Sequence, residues 1–220
     1  MATVPTIQSN AWDLGDGSPG PTRHRLSVED YYRMAEVGIL TAAMRVELIN
    51  GEVIDMSPIV ALHAALVNVL SRYFTRHCGD SAIVSCQNPL RLDDENEPEP
   101  DIVVLRPRSD CYSTAHPTPG DAVLVVEVSD SSLDYDLTVK VPLYAQCGLP
   151  EVWVVEAATR TTHLFRSPQS NASGRPGYAV QRLISPNEPL PLAAPLGELG
   201  GLAEAGVDAS ISTLLPPAAD

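Results

Sequence analysis

The sequence predicts an α+β fold in which helices pack against a mixed β-sheet. Short apolar runs typical of strands alternate along the chain with segments of helical periodicity. The predicted order is helix, hairpin, helix, strands, helix and strands, and the sequence contains no internal repeat. An alternation of this kind favours a sheet with helices packed against it.

A helix and a hairpin are predicted near the N-terminus. Ser27 begins a capping-box-like sequence, which is a common helix start. Two apolar strands follow over residues 45–49 and 52–56, and they flank Asn50-Gly51. Because both residues of this pair tolerate a positive φ, it is the strongest short hairpin signal that a sequence offers.

Two further helices are predicted. Ser57-Pro58 has the composition of a helix start, with serine as the cap and proline in the first turn. Another helix is predicted after Asp130 and continues to Gln146, with Pro142 either kinking it or lying in its first turn. The first of these helices carries an apolar stripe at helical spacing, formed by Ile59, His63, Leu66, Leu70 and Phe74.

Length and composition predict one domain. The chain has 220 residues and 44% hydrophobic content, which is enough for a substantial core. Residues 1–24 carry few apolar anchors, so we expect a flexible tail there, followed by a single domain over residues 25–215. No apolar run approaches the length of a membrane span, and the four irregularly spaced cysteines favour reduced thiols in a cytoplasmic protein.

The charge balance limits the ways in which this chain could bind nucleic acid. Its formal net charge is −14, whereas proteins that bind nucleic acid by neutralising many phosphates are usually basic. Tight non-specific DNA binding is therefore not expected. A nuclease is still compatible with this composition, because a metal site needs local acid and the bound cation reverses the local charge.

Two acidic residues are expected to meet at one edge of the sheet. Asp101 opens an apolar run over residues 101–105, and Glu127 lies near the end of a second run over residues 122–129. If the runs pair antiparallel, the start of the first lies beside the end of the second. Two ionised carboxylates this close repel each other unless one is protonated or a cation lies between them. Mg²⁺ is commonly held by one or two carboxylates, so the pattern predicts a metal site.

Several segments, in a fixed order, carry a family resemblance over about residues 25–215. They are Glu47-Leu48-Ile49-Asn50-Gly51-Glu52, residues 58–63, Glu97-Pro98-Glu99-Pro100-Asp101, Val126-Glu127-Val128-Ser129, Asp136 with Lys140 and Tyr144, and Glu151-Val152-Trp153-Val154-Val155. Together they resemble a bacterial family of largely uncharacterised restriction-endonuclease proteins within the PD-(D/E)xK nuclease-like superfamily. The resemblance implies a restriction-endonuclease-like core, here with an N-terminal hairpin and flanking helices.

The resemblance also implies a metal-dependent site. Asp101 and Glu127 would bind Mg²⁺ or Mn²⁺ with the Val128 carbonyl, and Glu47 would be a third acid that binds a ligand water or a second metal. Lys140 would position the attacking water. The usual superfamily motif has its lysine two residues after the glutamate, where this chain has Ser129.

A second departure from the family pattern is Leu137, where the family often has arginine after the helix aspartate.

Each of these residues also has a purely structural interpretation. Glu127 could form an ion pair with Lys140 or an arginine, and Glu47 alternates with apolar neighbours as an exposed strand residue would. His63 is either a hydrogen-bonded core histidine or a residue that lines the site. The other predicted site-lining residues are Gln87 and Asp136, and for Asp136 we favour a helix cap or an ion pair with Lys140 one turn later.

The sequence therefore predicts a metal-dependent endonuclease that hydrolyses phosphodiester bonds, with DNA as substrate. The alternative is a non-catalytic binding or regulatory module that keeps the fold, and Leu137 and the net charge of −14 favour it. We also expect a homodimer, because Leu190, Leu192 and Leu196 lie in a proline-rich segment with little local core to bury them.

Overall fold

A computed structural model describes residues 22–191 and 209–215. None of the helices within these residues combines the length and the apolar composition that crossing a membrane requires. The helices are α1 (Val28–Glu36), α2 (Ala61–Cys78), α3 (Leu133–Tyr135), α4 (Val141–Gln146) and α5 (Ile211–Leu214), with a 3-10 turn over Gly79–Ser81 and a π-helical turn over Asp136–Lys140. The strands are β1 (Val46–Ile49), β2 (Glu52–Asp55), β3 (Ile83–Ser85), β4 (Ile102–Leu105), β5 (Ala122–Ser129), β6 (Glu151–Glu156), β7 (Thr162–Ser170) and β8 (Pro176–Ile184).

The main sheet has six strands in the order β3-β4-β5-β6-β7-β8. All neighbouring pairs are antiparallel except β5 and β6, which run parallel. A parallel pair needs a crossover connection, and here the crossover contains α3, the π-helical turn and α4. The mixed sheet with flanking helices confirms the predicted α+β fold.

Two apolar cores cover the two faces of this sheet. On one face, α2 and α5 pack against alternate residues of the central strands, including Ile102, Val126 and Trp153. On the other face, α4 packs against the intervening residues, such as Val103 and Val125. Alternation along each strand separates the two sets, so neighbouring residues of β5 are buried against different helices.

The predicted hairpin is present as a separate two-stranded sheet of β1 and β2. Its turn residues, Asn50 and Gly51, both have positive φ, at 51° and 67°, which fits the type of turn that favours this dipeptide. The hairpin is attached to the segment before β4, because Leu48 and Glu97 exchange backbone hydrogen bonds. This attachment fixes where the side chains of β1 point.

Helix α2 begins later than its sequence predicts. Ser57-Pro58 precedes the helix, which starts at Ala61 after Val60 and has no side-chain cap. Arg45 explains the difference: its carbonyl accepts from the Met56 amide, and its guanidinium donates to the Ser57 carbonyl at 3.2 Å. These tertiary bonds keep residues 56–60 extended beside the hairpin, whereas the serine–proline signal is only local.

The predicted helix after Asp130 is interrupted by a wider turn. The Val141 amide donates to the Asp136 carbonyl, five residues earlier, which is the π-helical pattern. Pro142 follows at the start of α4 and has no N–H with which to continue the regular α-helical bonding. Isolated π-helical turns of this kind occur frequently at functional sites.

The chain ends bear on two of the predictions. The flexible tail was predicted over residues 1–24, of which residues 1–21 lie outside the described part, so it stays a prediction. Of the three leucines on which the dimer prediction depends, Leu192 and Leu196 also lie outside it. The expectation that Leu190 is left without a core is wrong: it is 3% exposed and packs in the α2 core. Its amide donates to Ala209, which brings the C-terminal segment onto the same core.

Candidate active site

Asp101 and Glu127 lie side by side, as the antiparallel pairing predicts. Ile102 is opposite Val126 in the β4–β5 register, which places the residues just outside this pair opposite each other. The Asp101 amide donates to Glu127 Oε2 at 3.4 Å, and the Val128 amide donates to Asp101 Oδ2 at 2.8 Å. Residues opposite each other on paired strands point to the same face, so both carboxylates open on the same side of the sheet.

His63 and Gln87 hold the other oxygen of Asp101. His63 Nε2 lies 2.9 Å from Asp101 Oδ1, and Gln87 Nε2 donates to the same atom at 3.2 Å. The hydrogen bond to Asp101 raises the pKa of His63, against the opposing effect of burial, and a bond to the Val128 backbone raises it further. Two of the three residues predicted to line the site, His63 and Gln87, therefore contact Asp101, one from α2 and one from the loop after β3.

Glu127 lies among buried polar groups. Its Oε1 accepts hydrogen bonds from Lys140 Nζ at 3.3 Å and from the Tyr144 hydroxyl at 2.5 Å. Lys140 and Tyr144 are four residues apart, one on the π-helical turn and one on α4, and they point at the same carboxylate. The ion pair that was one interpretation of Glu127 is present, and it is part of a larger acidic cluster.

Glu47 completes this cluster from the hairpin. Its Oε2 lies 3.0 Å from Lys140 Nζ and accepts from the Glu99 amide at 3.2 Å. The interpretation of Glu47 as an exposed strand residue is wrong, because it is 3% exposed. The cause is the attachment of β1 to the segment before β4, which turns this side of the hairpin toward the protein. Lys140 thus bridges two buried carboxylates from different elements.

Asp136 holds the helix in place by contacts other than those predicted. Its Oδ2 accepts from the hydroxyls of Ser129 at 2.6 Å and of Ser132 at 2.7 Å. The predicted ion pair with Lys140 is absent from the ion pairs of the described residues, because the lysine is turned toward Glu47 and Glu127. Ser129, which stands where the usual motif has lysine, is fully buried and ties the end of β5 to the helix.

Burial and the charge of the partner have opposite effects on the pKa values of Glu127 and Lys140. Burial raises the pKa of Glu127 to about 8, although Lys140 acts to lower it and the carboxylates of Asp136, Asp101 and Glu47 raise it further. Burial alone would lower the pKa of Lys140, but Glu127 and Glu47 outweigh it, so the pKa of this lysine lies above its ordinary value. The lysine is therefore charged and does not by itself balance the surrounding acids.

These groups surround a cavity of about 590 Å³. Its walls come from the hairpin, from the extended segment before α2 and from the loop and helix after β5. The volume is within the range of about 300–1,000 Å³ that is typical of sites for small ligands. The predicted site residues that line it are Glu47, His63, Asp101, Glu127, Val128, Asp136 and Lys140. Gln87 does not line the cavity but donates a hydrogen bond to Asp101.

The donor set of this cavity fits a hard divalent cation. In residues 22–191 and 209–215, no group of three or more His, Cys, Asp and Glu side chains is arranged to hold a metal ion. Mg²⁺, however, is usually bound by only one or two carboxylates and otherwise by water. Asp101 and Glu127 supply two adjacent carboxylates, and the excess of buried acid around them favours a cation.

Sequence reasoning missed two residues of the site. Tyr144 is part of the family resemblance, but no role in the site was predicted for it; it is fully buried, and its hydroxyl contacts Glu127. Its spacing of four residues from Lys140 on a predicted helix was the available signal. Arg45 lines the cavity beside the extended segment. No local sequence pattern identifies Arg45, because its position depends on tertiary contacts with residues 56–60.

The mixed sheet, its flanking helices and the N-terminal hairpin define a restriction-endonuclease-like fold. The crystal structure of a "putative nuclease belonging to DUF820" from Anabaena variabilis ATCC 29413 is similar, with a TM-score of 0.62 and 14% sequence identity. The match covers 86% of this chain and 97% of that one. Among curated proteins, none matches this sequence.

The family follows from the sequence match. The model of the Uma2 family, described as "Putative restriction endonuclease", matches residues 28–199. This range covers most of the chain, and the protein belongs to that family. The resemblance recognised in the sequence is thereby confirmed.

Proposed function

We propose that this protein is a metal-dependent endonuclease that hydrolyses phosphodiester bonds, with DNA as its substrate. The observation that supports this most strongly is the group formed by Asp101, Glu127 and Lys140 on one wall of a single cavity. A buried lysine between carboxylates could be purely structural. Here the acids outnumber the lysine and the cluster opens on a space large enough for a nucleotide.

Asp101 and Glu127 would hold Mg²⁺ or Mn²⁺, with the Val128 carbonyl as a further ligand. When bound, such an ion lowers the pKa of a water ligand and stabilises charge on the phosphate. Glu47 keeps Lys140 directed at Glu127 and would contact a ligand water or a second ion. His63 and Gln87 orient Asp101 through its other oxygen.

Lys140 would act on the attacking water and on the developing phosphate charge. Its charged amine has no lone pair, so it cannot be a metal ligand. Its distances of 3.0 Å to Glu47 and 3.3 Å to Glu127 hold the amine at the edge of the cluster. A donor held in advance by buried partners costs little reorganisation during the reaction.

The test combines cleavage assays on single- and double-stranded DNA in Mn²⁺ with titration calorimetry of the same ion. Glu127→Ala should lose the metal and the activity together. Lys140→Ala should keep metal affinity nearly intact and lose about 10²–10³ in rate. Arg72→Ala, on the exposed side of α2, is the control and should change neither property.

Equal activity in the wild type and in Lys140→Ala would remove Lys140 from the mechanism. No cleavage by the wild type, with metal bound, would favour the alternative function, a non-catalytic binding or regulatory module.

The homodimer and the cytoplasmic location stay predictions. Light scattering at micromolar concentration tests the homodimer. A monomer there would contradict it.

A further inference from the structure

A second cavity adjoins the candidate active site. It measures about 450 Å³ and shares two lining residues, Ile54 and Tyr135, with the first cavity. One side of the second cavity is the turn of the hairpin, including Asn50 and Glu52. The two cavities are therefore neighbours along the hairpin, with Ile54 and Tyr135 lining both.

Arg45 gives the first cavity a cation that forms no ion-pair contact within the described part of the chain, although Glu99, which lines the same cavity, interacts with it electrostatically. Lys140, the other permanent cation there, is held by two carboxylates, whereas Arg45 forms no ion pair within the described part of the chain. Its one hydrogen bond to a main-chain group goes from Nη1 to the Ser57 carbonyl. A guanidinium has five N–H donors, so most of them are available for a phosphate.

Tyr135 presents an aromatic ring to both cavities. It is partly buried, and burial raises its pKa to about 12, with Glu47 adding to this effect, so the ring is neutral at physiological pH. A neutral aromatic side chain in a groove is a suitable surface for stacking a base. A nucleic-acid strand that passed from one cavity to the other would place a base next to this ring.

In the second cavity, which Glu95 also lines, two arginines share Glu52 as a partner. Arg23 and Arg25 both donate to Glu52 Oε1, at 3.1 and 3.0 Å, and all three side chains are well exposed. Exposed ion pairs of this kind contribute little and are easily exchanged. A phosphate could therefore replace Glu52 as the partner of one arginine.

The size and charge of these cavities favour a single strand over a duplex. Two neighbouring cavities of about 590 and 450 Å³ accept one or two nucleotides each, whereas a duplex needs a broad basic surface. The chain has a net charge of −14 and only 14 lysine and arginine residues, so such a surface is not expected. Single-strand binding sites instead combine a few cations with stacking surfaces.

We propose that a single-stranded nucleic acid runs through both cavities, with a phosphate bound by Arg45, a base stacked on Tyr135 and the strand leaving past the hairpin turn. This deepens the proposed nuclease function and depends on it for the identity of the substrate. Arg45 and Tyr135 are here substrate-binding residues, separate from the residues that hold the metal.

The experiment measures binding separately from hydrolysis. Fluorescence anisotropy with a labelled 12-nucleotide poly(dT) strand, and with a duplex of equal length, is recorded in Ca²⁺ over a series of salt concentrations. Gel analysis after each titration shows whether the strand is intact. We expect the single strand to bind at least tenfold more tightly than the duplex.

Matched variants separate charge and stacking from folding. Arg45→Gln keeps a donor for Ser57 and loses the charge; it should bind about tenfold more weakly, with a salt slope smaller by about 0.7. Arg45→Lys should restore the slope. Tyr135→Leu should weaken binding about tenfold, and Tyr135→Phe should not. Arg72→Gln, an exposed arginine outside both cavities, should behave as wild type.

The outcomes separate this inference from the proposed hydrolysis. Binding that depends on Arg45 and Tyr135, without any cleavage in Mn²⁺, would support the strand path and contradict the hydrolase. Cleavage by a protein whose Arg45→Gln and Tyr135→Leu variants bind normally would contradict the path and leave the hydrolase standing. Equal or tighter binding of the duplex would also overturn the path.

Discussion

Two buried glutamates on neighbouring strands have different surroundings, and the contrast distinguishes a carboxylate with a complete set of protein partners from one proposed to bind a metal ion. Glu151 on β6 is fully buried, accepts from Arg166 at 2.7 and 3.1 Å, and accepts from the Trp153 indole at 2.7 Å. Glu127 on β5 shares one lysine with a second buried acid and lies beside a third.

The two glutamates also differ in whether their side chains face a closed core or an open cavity. Glu151 shares its face of the sheet with Trp153, in the closed α2 core, and has a bidentate arginine partner. Glu127 points to the α4 side and lines a cavity. A buried carboxylate with its hydrogen bonds satisfied by one cation forms a complete pair, and the fold is destabilised when one partner is removed. A cluster with more acids than cations, open to a cavity, is what a metal site requires.

The largest effect that tests this contrast is expected from Lys140→Ala in metal-free buffer at pH 8. The change leaves Glu47 and Glu127 buried without their shared cation, which should cost about 4 kcal/mol of the free energy of unfolding. Mn²⁺ should stabilise this variant at least as much as it stabilises the wild type, because the ion would lie between Asp101 and Glu127 in both proteins. Urea unfolding with and without Mn²⁺ measures both effects. No stabilisation of either protein by Mn²⁺ would contradict the proposal of a metal site in this cluster.

Glu151→Ala should cost somewhat less, about 3 kcal/mol, and Mn²⁺ should add the same stability to it as to the wild type, because its metal site would be intact. The indole of Trp153 loses its acceptor, whereas Arg166 is 28% exposed at its side chain and can turn toward water. The same urea experiment measures this variant. A smaller gain from Mn²⁺ in Glu151→Ala than in the wild type would show that Glu151 also supports the metal site, which would contradict the contrast.

The pH dependence of stability should give the smallest effect. The pKa of Glu127 is raised by burial to about 8 in the folded protein, against about 4.5 when unfolded. Its contribution is therefore fully present below pH 4.5 and is lost as the pH rises through 8. Between pH 5 and 7 the wild type should lose about 2 kcal/mol relative to Glu127→Gln. Thermal unfolding in EDTA at both pH values measures this, and parallel curves would exclude a raised pKa.

The parts of this structure that the sequence predicts are those governed by local rules. Asn50-Gly51 specifies its own turn, so the hairpin could be predicted without knowledge of the rest of the fold. The pairing of Asp101 with Glu127 required one further assumption, that two apolar runs are antiparallel neighbours. The geometry of these two acids follows from that assumption, whereas their role in catalysis stays a prediction.

The parts that could not be predicted depend on contacts distant in sequence. Residues 57–60 have a local helix signal, but hydrogen bonds with Arg45 hold the adjoining chain extended. Glu47 alternates as an exposed residue would, and it is buried because the hairpin is attached to residues 95–97. In both cases tertiary hydrogen bonds outweigh a weak local preference.

The π-helical turn determines how the lysine is placed. In the usual motif, lysine follows glutamate by two residues, so strand alternation puts both on one face. Here Lys140 comes from a helix that contains one wide turn between Asp136 and Val141. Each residue added to or removed from that turn rotates the helix after it by about 100°. In the proposed mechanism, the length of a helical turn therefore takes the place of a short sequence motif, because it decides whether the lysine on the helix faces the glutamate on the strand.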